Sequence, residues 1–175
     1  MVQYARPDAD TAVGNWSASS GTDRYAMIDE ATTDDTDYIS VTDDMMGTSE
    51  EITLSLSGVT DPVSSTGHQV TVRADEDGFM GTDLNVQLKD GATEIKNETF
   101  TTSSTKTNHV MTLNATQANN ISDYSDLTLV LTATDSGASM VTTSVFQAFF
   151  ECPDAPAAGS ATPMALNTYQ QMRNN

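Results

Sequence analysis

Apolar and polar residues alternate with a period of two along much of the chain, which is the pattern of strands with one buried face. Thr, Ser, Arg and Gln fill many of the positions between the apolar ones. The clearest runs carry their apolar residues at Ile52, Leu54 and Leu56, at Val70, Val72 and Ala74, and at Leu84, Val86 and Leu88. We therefore predict three half-buried strands in the middle of the chain.

A hairpin and further strands follow in the second half of the chain. The Asp-Gly pair within residues 89–91 is typical of a tight hairpin turn, so the run before it should pair with residues 92–100. One short helical turn is expected at residues 114–121, because Asn114 or Thr116 can cap it. Similar apolar patterns predict strands at residues 110–113, 127–133 and 140–150.

Roughly six to eight short strands joined by Gly, Asp, Ser and Thr predict an all-β fold. The chain lacks the crossover helices that a parallel sheet needs. We expect an antiparallel β-sandwich of jelly-roll kind with extended terminal arms. Residues 1–152 should form the sandwich domain with an N-terminal arm. The Pro- and Ala-rich residues 153–175 have little to bury, so an extended C-terminal arm is expected there.

Charge and composition exclude several classes of protein. The 175-residue chain has a formal net charge of −18, which opposes binding to phosphate backbones and excludes nucleic-acid partners. Twelve Asp and Glu residues accompany a single base, Arg24, between Asp8 and Glu51. One cysteine, Cys152, excludes an intramolecular disulfide. No apolar run suits a leader or a membrane span, so we expect a soluble protein made without Sec export and no membrane partner.

Candidate chemistry is sparse. His68, His109 and Cys152 are the only residues of their types, and none lies in a motif of nucleophilic or metal-assisted catalysis. Paired carboxylates are inevitable in so acidic a chain and therefore diagnose nothing. We predict no catalytic, cofactor-binding or metal-binding residue. Solvated loops, rather than calcium sites of EF-hand spacing, are the favoured interpretation of the acidic groups at Asp34, Asp35 and Asp37, at Asp43 and Asp44, and at Asp75, Glu76 and Asp77.

The aromatic residues leave two interpretations open. Trp16, Tyr25, Tyr38 and Tyr124 would stack on sugar rings if they were exposed on one face. Packing in the core is the favoured interpretation, because a chain with a single Trp usually buries its aromatic residues. Exposed aromatic rings would therefore be the mark of a glycan-binding protein.

Seven segments stand in a distinctive order along the chain. They are Arg-Pro-Asp-Ala-Asp at 6–10, Gly-Asn-Trp at 14–16, Tyr-Ala-Met-Ile-Asp-Glu at 25–30, Asp-Asp-Thr-Asp-Tyr-Ile at 34–39, Thr-Gly-His-Gln-Val-Thr-Val-Arg-Ala at 66–74, Val-Gln-Leu-Lys-Asp-Gly at 86–91 and Thr-Gln-Ala-Asn-Asn-Ile-Ser-Asp-Tyr-Ser-Asp-Leu at 116–127. Together, over roughly Tyr4 to Glu151, they resemble a module that recurs in virion structural proteins of tailed phages and in prophage-derived bacterial proteins.

The resemblance implies a β-sandwich used as a capsid-decorating or tail-associated domain, with no catalytic residues. His68 and Arg73 would then be structural hydrogen-bonding residues, and Tyr124 would anchor the start of a strand, as corner tyrosines do in other sandwiches. The segment after Cys152 departs from the resemblance, which leaves open a place on the capsid or on the tail.

These observations predict a capsid decoration (cement) protein that stabilises the head shell of a tailed phage. Its partners would be the major capsid protein and neighbouring copies of itself, as a homo-oligomer without cofactor on the capsid surface of the virion, synthesised in the host bacterial cytoplasm. The alternative is a receptor- or glycan-binding module of a tail or head fibre. An enzyme such as a glycan depolymerase is the least favoured interpretation.

Overall fold

The computed structural model describes residues 1–43, 49–78, 81–135 and 140–156. This part of the chain is built almost entirely of β-strands, with a single short α-helix and a 3-10 turn at Tyr25–Met27. No helix within these ranges is long and apolar enough to cross a membrane. The elements are β1 (Val2–Ala5), β2 (Pro7–Ala12), β3 (Ser17–Ala18), β4 (Ile39–Asp43), β5 (Ser49–Leu56), β6 (Gln69–Glu76), β7 (Thr82–Asp90), β8 (Thr93–Thr101), β9 (Thr107–Thr112), α1 (Ala115–Asn119), β10 (Leu127–Asp135) and β11 (Val141–Pro153).

The strands form two antiparallel sheets. Sheet A has the order β3-β4-β11-β6-β9, with β1 also paired to β11, and sheet B has the order β2-β5-β10-β7-β8. From β4 to β11 the chain changes sheet at every connection except the β7–β8 hairpin. This strand order is the topology of an eight-stranded jelly roll. The predicted all-β, antiparallel, jelly-roll-like sandwich is therefore confirmed.

The core lies between the sheets, where the alternating apolar residues meet. Leu129 of β10 pairs with Leu54 of β5 on one side and with Leu88 of β7 on the other. All three side chains are fully buried. Phe150 and Val72 are buried on the facing side of sheet A. The period-two pattern thus marks which face of each strand is inside, as predicted.

The predicted hairpin and helical turn are also confirmed. Asp90 pairs with Thr93 across the turn, where Gly91 adopts a φ of +54° that an L side chain rarely adopts. In α1, the Asn114 side chain accepts from the Gln117 amide at 3.0 Å, and the Gln117 side chain accepts from the Asn114 amide at 2.9 Å. This is a capping box, which satisfies two amides that the helix itself leaves free.

Two strands extend beyond the apolar residues that predicted them. The strand predicted at residues 110–113 begins at Thr107, because polar residues there continue the pairing with β6. The strand predicted at 140–150 runs from Val141 to Pro153. Main-chain pairing, which needs no apolar side chain, decides both boundaries.

The N-terminal arm is part of the sandwich. β1 extends sheet A and β2 extends sheet B, so the chain passes from one sheet to the other at Arg6. Pro7 opens β2 at the edge of sheet B, where its missing amide proton costs no ladder bond. Asp154 is held near the N-terminus by a hydrogen bond from its amide to the Met1 carbonyl at 3.3 Å. Residues 157–175 of the predicted C-terminal arm lie outside the described residues.

One edge of β11 is shared by three partners. β4 pairs with its first half and β1 pairs with its end. Between them, Ala148 donates its amide proton to the Ile28 carbonyl at 3.0 Å, next to an irregularity in the β11–β6 pairing between Val145 and Gln147. Residues 19–38, which connect β3 to β4, therefore fill the gap between β1 and β4.

Candidate functional site

Within the described residues, the outer face of sheet A has a half that is covered by residues 29–38 and a half that is open. In the covered half, Arg73 of β6 holds both carboxylate oxygens of Asp35, at 2.7 and 2.9 Å. This pairing lowers the pKa of Asp35. Lys106 donates to the Asp35 carbonyl at 3.1 Å and places its ammonium 4.1 Å from the centre of the Phe146 ring. Residues 29–38 are thus fastened over β11 and β6, and Arg73 serves as a structural hydrogen-bonding residue.

The open half carries two aromatic rings. Tyr4 of β1 is 41% exposed. Its ring centre lies 5.5 Å from that of the half-buried Phe149, in an edge-to-face arrangement. The Arg6 guanidinium lies 5.0 Å from the centre of the Tyr4 ring. The register places the exposed Val2 and Val110 on the same side of the sheet. We call Val2, Tyr4, Arg6, Val110 and Phe149 the aromatic face.

Polar groups surround the aromatic face. Glu151 pairs with Tyr4 on one side and with Gln69 on the other. The Gln69 side chain donates to the Glu151 carboxylate at 3.4 Å. Arg6 donates to the Glu30 carbonyl at 3.3 Å, which fixes its guanidinium beside the rings. The surface therefore offers apolar rings together with a carboxylate, an amide and a guanidinium.

The aromatic residues singled out from the sequence lie elsewhere. Trp16 is buried, with its indole nitrogen donating to the Glu50 carbonyl at 3.1 Å, and Tyr124 is buried too. Tyr25 and Tyr38 are half-buried, and Tyr38 packs on Phe146 with ring centres 5.6 Å apart. Core packing was thus the correct interpretation for Trp16 and Tyr124.

The two rings of the open half, Tyr4 and Phe149, were not among the aromatic residues singled out from the sequence. A signal for one of them was present, since Phe149 and Phe150 are adjacent in a strand and must point to opposite sides of the sheet. No comparable signal marks Tyr4, because its exposure depends on the pairing of β1 with β11.

A second concave feature lies at one end of the sandwich. A cleft of about 360 Å³ opens between the β5–β6 connection and α1. Its floor consists of the buried side chains of Ala118, Ile121 and Tyr124. Its polar rim is formed by Asp61, Ser64, Ser65 and Asn119, with the exposed Val63 beside them. We call this feature the Asp61 cleft.

The rim of the Asp61 cleft is held in an unusual conformation. Val63 has a φ of 51°, a left-handed value that costs a β-branched residue about 1–3 kcal/mol. The Asp61 carboxylate accepts the Val63 amide at 2.7 Å, which stabilises this turn. Gln3 of β1 exchanges two hydrogen bonds with the main chain of Thr60, at 2.8 and 2.9 Å. The rim is therefore fixed to the edge strand of sheet A.

Beneath the cleft, His68 and Tyr124 join the two sheets. The Thr66 carbonyl lies 3.2 Å from His68 Nδ1 and can only accept, so Nδ1 carries the proton. His68 Nε2 then accepts from the Tyr124 hydroxyl at 2.8 Å. Burial lowers the pKa of His68 and raises the pKa of Tyr124 to about 12, so both are neutral at neutral pH. The Tyr124 side chain does anchor the start of β10, but its hydroxyl bonds to a histidine ring and not to a main-chain group.

Several of the remaining candidates are buried or bonded within the fold. Burial raises the pKa of Cys152 to about 11, so its thiol stays protonated. Burial also lowers the pKa of His109. Asp77 accepts the Thr142 amide at 2.7 Å, while the side chain of Asp43 and all of Asp44 lie outside the described residues. In the described ranges, no three His, Cys, Asp or Glu side chains are grouped to hold a metal ion.

Several of the seven segments that stand in a distinctive order contact one another within residues 6–30. The Asp10 carboxylate accepts the amides of Arg24 and Tyr25, at 2.9 and 2.8 Å. The Arg24 side chain donates to the Trp16 carbonyl at 3.1 Å. These bonds hold residues 24–25 against β2 and Trp16.

The chain was compared with protein families, curated proteins and solved structures. No protein-family model matches the chain. No curated protein matches it either. Among solved structures, the chain is similar to TmCBM61, a carbohydrate-binding module solved in complex with β-1,4-galactotriose, at 10% identity and a TM-score of 0.44. The alignment covers 69% of this chain and 73% of that one. At this identity the likeness concerns the β-sandwich fold alone.

Proposed function

We propose that this chain is a non-catalytic glycan-binding module whose ligand stacks on the aromatic face. The observation that carries the proposal is the pair of Tyr4 and Phe149 on a sheet surface that none of the described residues covers. The C–H groups on one side of a sugar ring are apolar and pack on aromatic rings. Polar side chains beside the rings fix the orientation of such a ligand. Glu151, Gln69 and Arg6 supply these groups here.

Charge narrows the class of glycan. The chain carries a net charge of −18, and Glu151 lies directly beside Tyr4. Glu151 and Arg6 offset each other beside the rings, but an anionic sugar would be repelled by the field of the whole molecule. We therefore expect neutral glycans to bind better than uronic or sialic acids.

The side chains with nucleophilic or acid–base character support a non-catalytic role. Cys152 and His68 are fully buried, and burial moves the pKa of each in the direction that favours its neutral form. His109 is half-buried, next to the Phe100 ring at 5.1 Å between centres. None of the three faces the rings of Tyr4 and Phe149, so a bound sugar would meet no imidazole or thiol there.

The test compares two substitutions of one residue. Tyr4→Ala removes the ring and should weaken binding to neutral polysaccharides by about tenfold, whereas Tyr4→Phe keeps the ring and most of the affinity. Isothermal titration with a panel of neutral oligosaccharides measures both. Thr53→Ala, on the outer face of sheet B, is the control and should bind like the parent chain. Equal affinities for Tyr4→Ala and the parent would remove the aromatic face from consideration.

A second candidate is the capsid decoration protein of a tailed phage, which the resemblance of the seven segments favours. We propose in that case that the chain contacts the major capsid protein and its own copies as a homo-oligomer on the virion surface. The apolar Val2 and Val110 on the aromatic face would supply part of such a contact.

Counting copies per purified particle separates the two candidates. Hundreds of copies would support decoration, whereas a dozen or fewer would support a tail or fibre. Val110→Asp adds a test of the second candidate, because a charge at this apolar position should release a decoration protein from particles.

A further inference from the structure

The Asp61 cleft is an open pocket with a mainly polar accessible lining, and it plays no part in the function proposed above. We propose that it binds a single neutral or amino-bearing sugar ring, independently of the aromatic face. Its volume of about 360 Å³ lies at the lower end of the usual range for ligand sites. This size suits one six-membered ring better than an extended chain.

The lining matches the two sides of such a ring. Ala118, Ile121 and Tyr124 form an apolar floor that can pack against C–H groups. Ser64, Ser65 and Asn119 form a rim of hydroxyl and amide groups that can bond to ring hydroxyls. The apolar groups of the cleft thus lie deeper than the polar groups. A sugar ring could place its C–H groups on the floor and its hydroxyls at the rim.

Asp61 decides which sugars are favoured. One of its carboxylate oxygens accepts the Val63 amide, which leaves the other oxygen to accept from a ligand. None of the ion pairs among the described residues involves Asp61. An unpaired carboxylate at the rim attracts hydroxyl and ammonium donors and repels a ligand carboxylate. Amino sugars should therefore bind best, neutral sugars next, and uronic acids not at all.

Both walls of the cleft are fixed before a ligand arrives. On one side, the main chain of Thr60 is bonded to Gln3. On the other, Asp90 accepts the amides of Ser122 and Asp123, at 2.7 and 3.2 Å, and the capping box holds the start of α1. A preformed site loses little conformational entropy on binding, so even a small ligand can be retained.

The experiment follows backbone amide resonances of the ¹⁵N-labelled chain during titration with galactose, glucosamine or glucuronic acid. Binding should shift the amides of residues 61–65 and 118–124. Asp61→Asn keeps the acceptor for the Val63 amide but loses the charge, so glucosamine should bind about tenfold more weakly and galactose less affected. Asp83→Asn is the matched control, since it also keeps its acceptor, for Thr101, but lies on sheet B. It should change neither affinity.

Two further variants keep the outcomes distinct. Asn119→Trp at the exposed end of α1 should fill the cleft and abolish the shifts for every sugar. Tyr4→Ala should leave them unchanged, so failure of the aromatic face as a glycan site and failure of the Asp61 cleft are separate results. Absence of localised shifts with both galactose and glucosamine would overturn the proposal. Shifts with glucuronic acid as strong as those with glucosamine, or an equal loss in Asp83→Asn, would overturn it as well.

Discussion

The outer faces of the two sheets differ, although both sheets belong to the same jelly roll. On sheet B the outward side chains are mostly polar and hydrogen-bond to one another, as Asn85 does with Thr99 at 3.0 Å and Thr101 with Asp83 at 2.9 Å. On sheet A the outward side chains include Phe146 and Phe149. A polar face needs no cover, whereas an apolar face must be covered or used in binding.

The difference is clearest in one strand of each sheet. β7 alternates strictly between buried and half-buried residues from Thr82 to Asp90. In β11, residues 145–150 read Val-Phe-Gln-Ala-Phe-Phe, so apolar side chains point to both sides. Residues 19–38 cover Phe146, and Phe149 stays in the open half beside Tyr4. The candidate site therefore lies where the cover over sheet A ends.

The largest expected effect compares one buried apolar residue on each outer face. Phe146 is 3% exposed under residues 19–38, and Val130 is 5% exposed between polar neighbours on sheet B. Phe146→Ala should lower the free energy of unfolding by about 3 kcal/mol, because it opens a cavity under the cover. Val130→Ala should cost about 1 kcal/mol. Urea unfolding measures both, and similar small losses would show that residues 19–38 do not act as a cover.

A second prediction concerns how stability depends on pH. The two histidines lie on the inner side of the sandwich and not on either outer face. Burial holds the pKa of His68 and of His109 below the ordinary value of 6.5. Just below that pH the unfolded chain binds more protons than the folded chain, so stability falls as the pH falls. Burial raises the pKa of Glu30 and of Asp75, which has the opposite effect but near the lower pH at which carboxyl groups titrate.

Thermal unfolding at about pH 7.5 and about pH 5.5 tests this sign. The melting temperature should be lower at the more acidic pH. His109→Phe should reduce the change in melting temperature between the two pH values. The change that remains is assigned to His68. A melting temperature that rises on acidification would mean that groups on the outer faces dominate.

The smallest effect concerns the fastening of residues 29–38. Arg73→Ala removes both bonds to Asp35, which is partly exposed, so the loss of stability should stay below about 1 kcal/mol. Local opening should nevertheless increase, and the Ala148 amide bonded to Ile28 should exchange its proton several-fold faster. Lys89→Ala, on sheet B, is the control. Equal exchange rates in both variants would show that Arg73 does not hold the cover in place.

Local patterns in the sequence determined most of the individual elements. The alternation at Leu84, Val86 and Leu88 predicted β7, and the Asp-Gly pair at 90–91 predicted the turn after it. Asn114 predicted the cap of α1. Each of these signals lies within a few residues of the structure it specifies, because strand alternation, turn conformation and capping depend on neighbouring residues. The jelly-roll class followed from the number and spacing of such elements.

The candidate sites were decided only by the tertiary structure. Tyr4 meets Phe149 because β1, at the start of the chain, pairs with the end of β11, and no local pattern specifies that register. His68 and Tyr124 are 56 residues apart in sequence and meet across the two sheets. The Asp61 cleft likewise joins two connections that are distant along the chain. An exposed ring and a buried ring have the same chemistry in the sequence, and only the packing of distant strands determines which one meets solvent.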